Sequence, residues 1–80
     1  MPENADIEFV VHHEGLFGAA LHEFRQRAGL NQAELADRID EHRSYLSAVE
    51  NGRSTKVMRV LLRACRELDV EIVVRPVRRQ

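Results

Sequence analysis

The first helical pattern in the chain lies near its amino terminus. Its apolar members recur at spacings of three and four residues and predict one amphipathic helix over residues 15–27, namely Leu16, Phe17, Ala20, Leu21 and Phe24. The polar residues between them are expected to face water, namely Glu23, Arg25, Gln26 and Arg27. Gly29 is expected to end the helix, because glycine readily adopts the positive φ of a C-terminal cap.

Two shorter helices are predicted next. Asn31 and Glu34 have the spacing of a capping box, which starts a second helix at Gln32 that runs to Ile39. Its inner face is predicted to hold Leu35, Ala36 and Ile39. Residues 40–42 make a tight turn, and a third helix then runs from Arg43 to Asn51 with Leu46 and Val49 facing inward. Two short helices joined by three residues form a helix-turn-helix arrangement.

A fourth helix is predicted over Lys56 to Leu68. Its apolar stripe is unusually wide and comprises Val57, Leu61, Ala64, Cys65 and Leu68, with Met58 and Leu62 beside it. A stripe of that width can serve both an internal core and part of an intermolecular surface.

The spacing of apolar residues changes after this helix. Val70, Ile72 and Val74 alternate with Glu71, Val73 and Arg75, which predicts a strand over residues 70–77 that ends or becomes an edge at Pro76. The strand needs a partner for its backbone groups. The favoured partner is the same strand of a second chain, so that Val70, Ile72, Val73 and Val74 form a dimer interface; the alternative is Ile7 to Val11.

These patterns predict a mainly α fold, a four-helix helix-turn-helix domain whose C-terminal β-strand forms a two-stranded ribbon between subunits. The expected boundaries are an N-terminal arm over 1–14 with a possible short strand at 7–11, the helix-turn-helix domain over 15–69, the dimerisation strand over 70–77 and a tail over 78–80. A chain of 80 residues has room for one small core, which a partner subunit would help to stabilise.

Charge is unevenly distributed along a nearly neutral chain. The segment from His42 to Arg66 has six basic residues and one acidic residue, Glu50, and so carries a net charge of +5. Because the whole chain has a net charge of −1, the rest of the chain carries −6. Such a segment is either a solvated helix face or an anion-binding surface. Its position in the fold has to decide between the two.

Other classes of protein are disfavoured by the residues present. Cys65 is the single cysteine and lies on an apolar stripe, and four histidines (His12, His13, His22 and His42) have no metal-ligand spacing. We therefore expect no enzyme, metal or cofactor. The acidic amino terminus is unlike a signal peptide and no stretch is long enough to span a membrane, so we expect a cytoplasmic protein.

The sequence resembles a known family at two motifs. The segments Gly29-Leu30-Asn31-Gln32-Ala33-Glu34-Leu35-Ala36-Asp37-Arg38-Ile39 and Ser44-Tyr45-Leu46-Ser47-Ala48-Val49-Glu50-Asn51-Gly52 are similar to the signature of the phage-repressor (Cro/C1, Xre) helix-turn-helix domain. The strand directly after the fourth helix resembles HipB-type antitoxins. That resemblance implies a dimeric repressor that autoregulates its operon and binds a HipA-like kinase toxin.

A helix held from behind by Leu46 and Val49 presents its other face to a DNA major groove. The residues expected to contact bases are Arg43, Ser44, Ser47 and Ala48. Those expected to contact the DNA backbone are Gln32, His42, Tyr45, Asn51, Arg53 and Lys56. Gln32 is also expected to brace the recognition helix. Arg59 and Arg63 are more simply explained as solvent-facing.

The turn departs from the family pattern. Asp40 stands where relatives usually carry glycine, Glu41 replaces a small apolar residue, and His42 replaces a serine-like cap. A carboxylate at Glu41 would repel phosphate, which leaves a second hypothesis open: a protein-interaction, toxin-neutralising module with weak or no DNA binding. We favour a homodimeric repressor of double-stranded DNA with a near-palindromic operator.

Overall fold

The computed structural model describes residues 7–53 and 55–77. Along the chain it has β1 (Phe9–Val11), α1 (Glu14–Arg27), α2 (Gln32–Arg38), α3 (Arg43–Glu50), α4 (Lys56–Leu68) and β2 (Ile72–Val74). The four predicted helices are confirmed to within a residue at each end. Residues 1–6 of the predicted N-terminal arm and the predicted tail over 78–80 lie outside the described residues.

The local signals that begin and end helices act as the sequence predicts. The Asn31 side chain accepts a hydrogen bond from the Glu34 N–H (2.8 Å), and the Glu34 carboxylate accepts one from the Asn31 N–H (2.9 Å), which completes the capping box. Gly29 after α1 and Gly52 after α3 adopt positive φ angles of 74° and 82°. Thr55 caps α4 by accepting from the Met58 N–H at 3.2 Å.

The turn between α2 and α3 is closed by an aspartate. Asp40 has a φ of 57°, the left-handed conformation that glycine would adopt at less cost. The Glu41 N–H then donates to the Ala36 carbonyl oxygen at 2.8 Å, which satisfies the end of α2. The turn therefore forms with aspartate at the position that needs a positive φ.

The core among the described residues is small and consists of one apolar side chain from each of five elements. The apolar residues below 9% exposure are Val11, Ala20, Ala36, Leu46 and Leu62. The predicted inner faces of α1 and α3 are confirmed, and Leu35 of α2 is half-buried. The prediction for Ile39 is wrong: its side chain is 54% exposed at the C-terminal cap of α2.

The strand after α4 pairs within its own chain. β1 and β2 are antiparallel, with Phe9 opposite Val74 and Val11 opposite Ile72. Ile72 and Val74 are half-buried, whereas Val73 is exposed. The favoured partner of this strand was the same strand of a second chain, but one edge of β2 is occupied by the alternative partner, Ile7 to Val11. This antiparallel neighbour in the same chain satisfies the backbone groups along that edge.

The sheet is attached to α1. The rings of Phe9 and Phe24 meet edge to face, with centroids 5.7 Å apart and an interplanar angle of 76°. The sheet therefore lies on one side of α1, and the helix-turn-helix unit packs against α1 through α3.

Candidate nucleic-acid interface

The exposed side of α3 begins at its N-terminal end. Arg43, Ser44 and Tyr45 are exposed, while Leu46 behind them is only 4% exposed. One turn later, Ser47 and Ala48 are half-buried. All four predicted base-contact residues therefore keep accessible surface on one helix, and none is enclosed in the core.

The other end of α3 is anchored by an ion pair with α1. Glu50 has a side-chain exposure of 2%, and its carboxylate accepts hydrogen bonds from Arg25 Nε (2.7 Å) and from a terminal guanidinium nitrogen of Arg25 (2.9 Å). Two parallel bonds between a guanidinium and a carboxylate hold both distance and orientation. The expectation that Arg25 faces water is wrong, because Glu50 neutralises its charge and accepts its hydrogen bonds inside the fold.

Two further side chains and one backbone carbonyl contact this ion pair. His22 Nδ1 lies 2.9 Å from Glu50 Oε1, and Gln32 Nε2 donates to the same oxygen at 3.2 Å. Arg25 also donates to the carbonyl oxygen of Leu30 at 2.8 Å. The anchor, defined as Arg25, Glu50, His22 and Gln32, therefore joins α1, the start of α2 and the end of α3 in one polar network.

The anchor shifts the titration of its charged members. Hydrogen bonding from Arg25 lowers the pKa of Glu50 from 4.5 to about 2, against the opposing effect of burial, with smaller contributions from His22 and Gln32. The hydrogen bond to Glu50 likewise raises the pKa of Arg25. Both groups are therefore charged across the whole physiological range of pH.

Close backbone contact accompanies the anchor. Gly18 of α1 is buried, and a β-carbon there would collide with the carbonyl oxygen of Val49 and lie 2.9 Å from that of Glu50. Only glycine lets α1 approach the last turn of α3 so closely. The position of α3 thus depends on a missing side chain as well as on the ion pair.

The predicted backbone-contact residues surround α3. Gln32 is half-buried, and its bond to Glu50 confirms that it braces the end of α3; its predicted contact with phosphate remains a prediction. Asn51 Nδ2 lies 3.4 Å from Ser47 Oγ, on the exposed surface. The other four are exposed, namely His42, Tyr45, Arg53 and Lys56. Tyr45 and Arg53 line one cleft of about 180 Å³ between α3 and the start of α4.

Acidic residues lie beside the N-terminal end of α3. Asp37, Asp40, Glu41 and His42 line a shared cleft, and Glu41 Oε1 accepts a hydrogen bond from the His42 N–H at 3.0 Å. All four are exposed. The carboxylates oppose the approach of phosphate at this end of α3.

Burial of Glu50 changes the charge of the accessible surface. Glu50 is the single acidic residue between His42 and Arg66, and its charge is neutralised by the ion pair with Arg25. The other charged residues in the described part of this segment are basic and exposed, namely Arg43, Arg53, Lys56, Arg59, Arg63 and Arg66. Such a surface attracts a polyanion.

Sequence reasoning missed the anchor. A polar residue next to the apolar stripe of α1 is ordinarily solvent-facing, and nothing in the spacing of Arg25 separates it from its neighbours. The available signal was Glu50, an acidic residue that ends α3 inside an otherwise basic segment.

Comparison with known proteins agrees with this geometry. A family model described as a helix-turn-helix domain matches residues 16–76, which is 61 of the 80 residues. The chain belongs to the helix-turn-helix domain family, which suggests a DNA-binding regulator. No curated protein and no solved structure matches the chain.

Residues 7–53 and 55–77 lack two features of other protein classes. Across these residues, no helix combines the length and the apolar character needed to cross a membrane. The same residues contain no group of three histidine, cysteine or acidic side chains that could hold a metal ion.

Proposed function

We propose that the protein is a sequence-specific transcriptional repressor that places α3 in the major groove of double-stranded DNA. Arg43 at the start of α3 donates two hydrogen bonds to guanine O6 and N7, a contact worth about 1–3 kcal/mol of discrimination. Ser44 and Ser47 bond base edges or phosphates, and the Ala48 methyl group lies against a thymine methyl.

The observation that carries the proposal is the asymmetry of α3. Its N-terminal half is accessible, whereas its C-terminal end is held by Arg25 and Glu50. A recognition helix needs both properties, since its side chains must reach the bases in the groove while the helix itself is held rigidly. The exposed positive residues that follow α3, Arg53 and Lys56, contact phosphates and set the register.

We further propose that the repressor acts as a homodimer on a near-palindromic operator. Two copies of α3 related by a two-fold axis then enter successive major grooves about 34 Å apart. Of the residues predicted at the dimer interface, Val70 and Val73 are exposed and available to a second copy. Ile72 and Val74 are half-buried by their own chain and contribute less.

Footprinting on DNA upstream of the protein's own coding sequence tests the proposal. Wild type should protect a near-palindromic site with steep salt dependence, and Arg43→Ala should lower affinity for it by about 10- to 100-fold, which corresponds to the loss of one bidentate contact. Arg63→Ala is the matched control: it removes the same charge from an exposed position on α4 and should change affinity far less. Equal losses in the two variants would contradict base readout by Arg43.

The acidic cleft beside His42 favours a second candidate, a protein-interaction module that neutralises a toxin and binds DNA weakly or not at all. In its narrower form the partner is a HipA-like kinase and the protein is the antitoxin of a toxin-antitoxin pair; the strand directly after α4 supports this form. Salt-insensitive binding to such a kinase without any DNA footprint would favour this candidate. Failure to co-purify with a kinase encoded next to it would count against the antitoxin form.

A further inference from the structure

Strand β2 has one edge without a strand neighbour. Within residues 7–53 and 55–77 the sheet consists of β1 and β2, and β1 occupies a single edge of β2. β1 is the strand that packs on α1, so β2 is the outer strand of the pair. An open edge presents backbone N–H and C=O groups that can pair with a further strand. Two strands of three residues are also marginal by themselves in water, and additional strands stabilise such a sheet.

The two faces of β2 carry different side chains. Ile72 and Val74 lie on the face that contacts α1, and both are half-buried. Glu71, Val73 and Arg75 alternate with them and lie on the outer face, where all three are exposed. The outer face therefore has a negative charge two residues before Val73 and a positive charge two residues after it.

This outer face is complementary to itself about Val73. If β2 of a second copy pairs antiparallel with Val73 opposite Val73, then Glu71 of each chain lies directly opposite Arg75 of the other, twice by symmetry. Directly opposite residues of an antiparallel pair share a face, with their Cβ atoms about 5 Å apart, so these charges attract each other. On the other face the same register sets Ile72 opposite Val74 of the second copy, which covers both of these half-buried side chains further.

Arg75 can bind a second carboxylate. Its Nη1 lies 3.7 Å from Glu8 Oε1, and the Arg75 side chain is 58% exposed. A guanidinium group has several N–H donors, so it can bind Glu8 on one side and Glu71 of the second copy on the other. Charges of alternating sign then run across the outer face of one sheet of the two chains, from Glu8 through Arg75 to Glu71 of the second copy.

Other pairings of this edge fit less well. A parallel pair sets Glu71 against Glu71 and Arg75 against Arg75, which is unfavourable. An antiparallel register shifted by two residues removes both Glu71–Arg75 pairs. Edge strands that avoid pairing often carry lysines, whereas the opposite charges of β2 favour one register of self-pairing. Pro76 has no N–H to donate and limits the paired segment beyond Arg75.

We propose that the open edge of β2 is the self-association surface of this protein and that its occupant is β2 of a second copy, antiparallel and centred on Val73. The inference rests on the proposed homodimer and names its interface and register. About four to six backbone hydrogen bonds join the two strands, depending on which residues point their backbone groups outward. In strand addition these bonds supply affinity, and the side-chain pairs select the partner. Because the strands are short, we expect a dimer that dissociates on dilution.

Sedimentation of the full chain without DNA, over a range of concentrations, tests the interface. Wild type should be dimeric at high concentration. Glu71→Arg should weaken dimerisation about 10-fold, because it sets arginines against each other at both ends of the paired segment. Glu41→Arg is the matched control: it makes the same change at an exposed glutamate in the turn before α3 and should leave dimerisation unchanged. Circular dichroism should show both variants folded.

A mixture of complementary variants tests the register. Arg75→Glu combined with Glu8→Arg keeps the pair within the chain with its signs exchanged, but it sets glutamates against each other between copies and should dimerise weakly. An equimolar mixture of this variant with Glu71→Arg should form mixed dimers of nearly wild-type affinity, because each chain then has the charges that the other lacks. In a parallel pair Glu71→Arg would only exchange one like-charge contact for another, so an unchanged Glu71→Arg dimer would overturn the antiparallel arrangement.

A monomeric wild type at all concentrations, equal effects of Glu71→Arg and Glu41→Arg, or a mixture that does not dimerise would overturn the proposal. Growth into long polymers would do the same, because pairing of β2 with β1 of the next copy has no closing symmetry. Because these measurements contain no DNA, their failure leaves Arg43-dependent footprinting untouched. Conversely, loss of the footprint with an intact dimer would contradict the repressor and leave the interface standing.

Discussion

The two ends of α3 are built in opposite ways. At the C-terminal end, the Glu50 carboxylate is 2% exposed and hydrogen-bonded to groups from α1 and α2. At the N-terminal end, His42 makes no side-chain cap, and Arg43, Ser44 and Tyr45 are exposed. The contacts that stabilise α3 therefore lie at its C-terminal end, and its exposed side chains lie at its N-terminal end.

This difference shows how a small domain can present a binding surface without a large core. No bulky side chain among the described residues is fully buried, so apolar packing alone holds α3 weakly. The charge-assisted bonds of the anchor supply the missing rigidity at the end that does not have to bind anything. Substitutions at the anchored end should therefore lower stability, and those at the free end should change binding while stability stays nearly the same.

The largest effect is expected for Gly18→Ala. The added methyl group collides with the Val49 carbonyl oxygen, a backbone atom that cannot swing aside, so we expect a loss of about 3 kcal/mol or more in the free energy of unfolding. Urea denaturation measures it. Gly15→Ala, in the same helix, meets only the movable side chain of His13 at 3.1 Å and should stay within about 1 kcal/mol of wild type. Similar losses in both variants would contradict the steric explanation, because helix propensity alone favours alanine over glycine at both positions.

Breaking the anchor should cost nearly as much. Glu50→Gln leaves the Arg25 guanidinium buried without its counter-charge, and we expect a loss of about 3 kcal/mol in the free energy of unfolding. The double variant Arg25→Met with Glu50→Met removes both charges and should recover a large part of this loss. If the double variant is less stable than the single one, the cost arises from packing and not from the unpaired charge.

Acid should weaken the same end of α3. Because the pKa of Glu50 is lowered to about 2 in the folded chain, its contribution to stability is fully present above about pH 4.5. It is lost as pH falls from about 4.5 towards 2, since the unfolded chain takes up the proton first. Chemical denaturation at a series of pH values should show this loss in wild type and a smaller one in the Arg25→Met, Glu50→Met variant, and parallel curves would contradict it.

The smallest effect is expected at the free end. His42→Ser supplies the side-chain cap that α3 lacks and should raise the free energy of unfolding by about 0.5–1 kcal/mol. Thermal unfolding measures the gain. Ser44→Ala, which changes an exposed hydroxyl inside the first turn, is the control and should change stability much less. A destabilised His42→Ser variant would mean that the His42 side chain has a structural role in the free protein.

The course of the backbone was predictable from local signals. Helical spacing, the Asn31–Glu34 capping box and the glycines after α1 and α3 located the four helices to within a residue at their ends. Helix formation depends on contacts three and four residues apart, which a sequence displays directly. The accessible face of α3 follows from the same spacing, and for that reason Arg43 and Ser44 could be named in advance.

The sequence by itself therefore determined the order and limits of the helices, the helix-turn-helix arrangement and the exposed end of α3. Only the tertiary structure decided that Arg25 turns inward to Glu50, that β2 pairs with β1, and that the stripe of α4 divides into a covered and an open face. Each of these depends on which elements meet in space across 20 or more residues. Such contacts carry no periodicity along the chain, because the partner that makes a buried charge or an extra strand favourable lies elsewhere in the sequence.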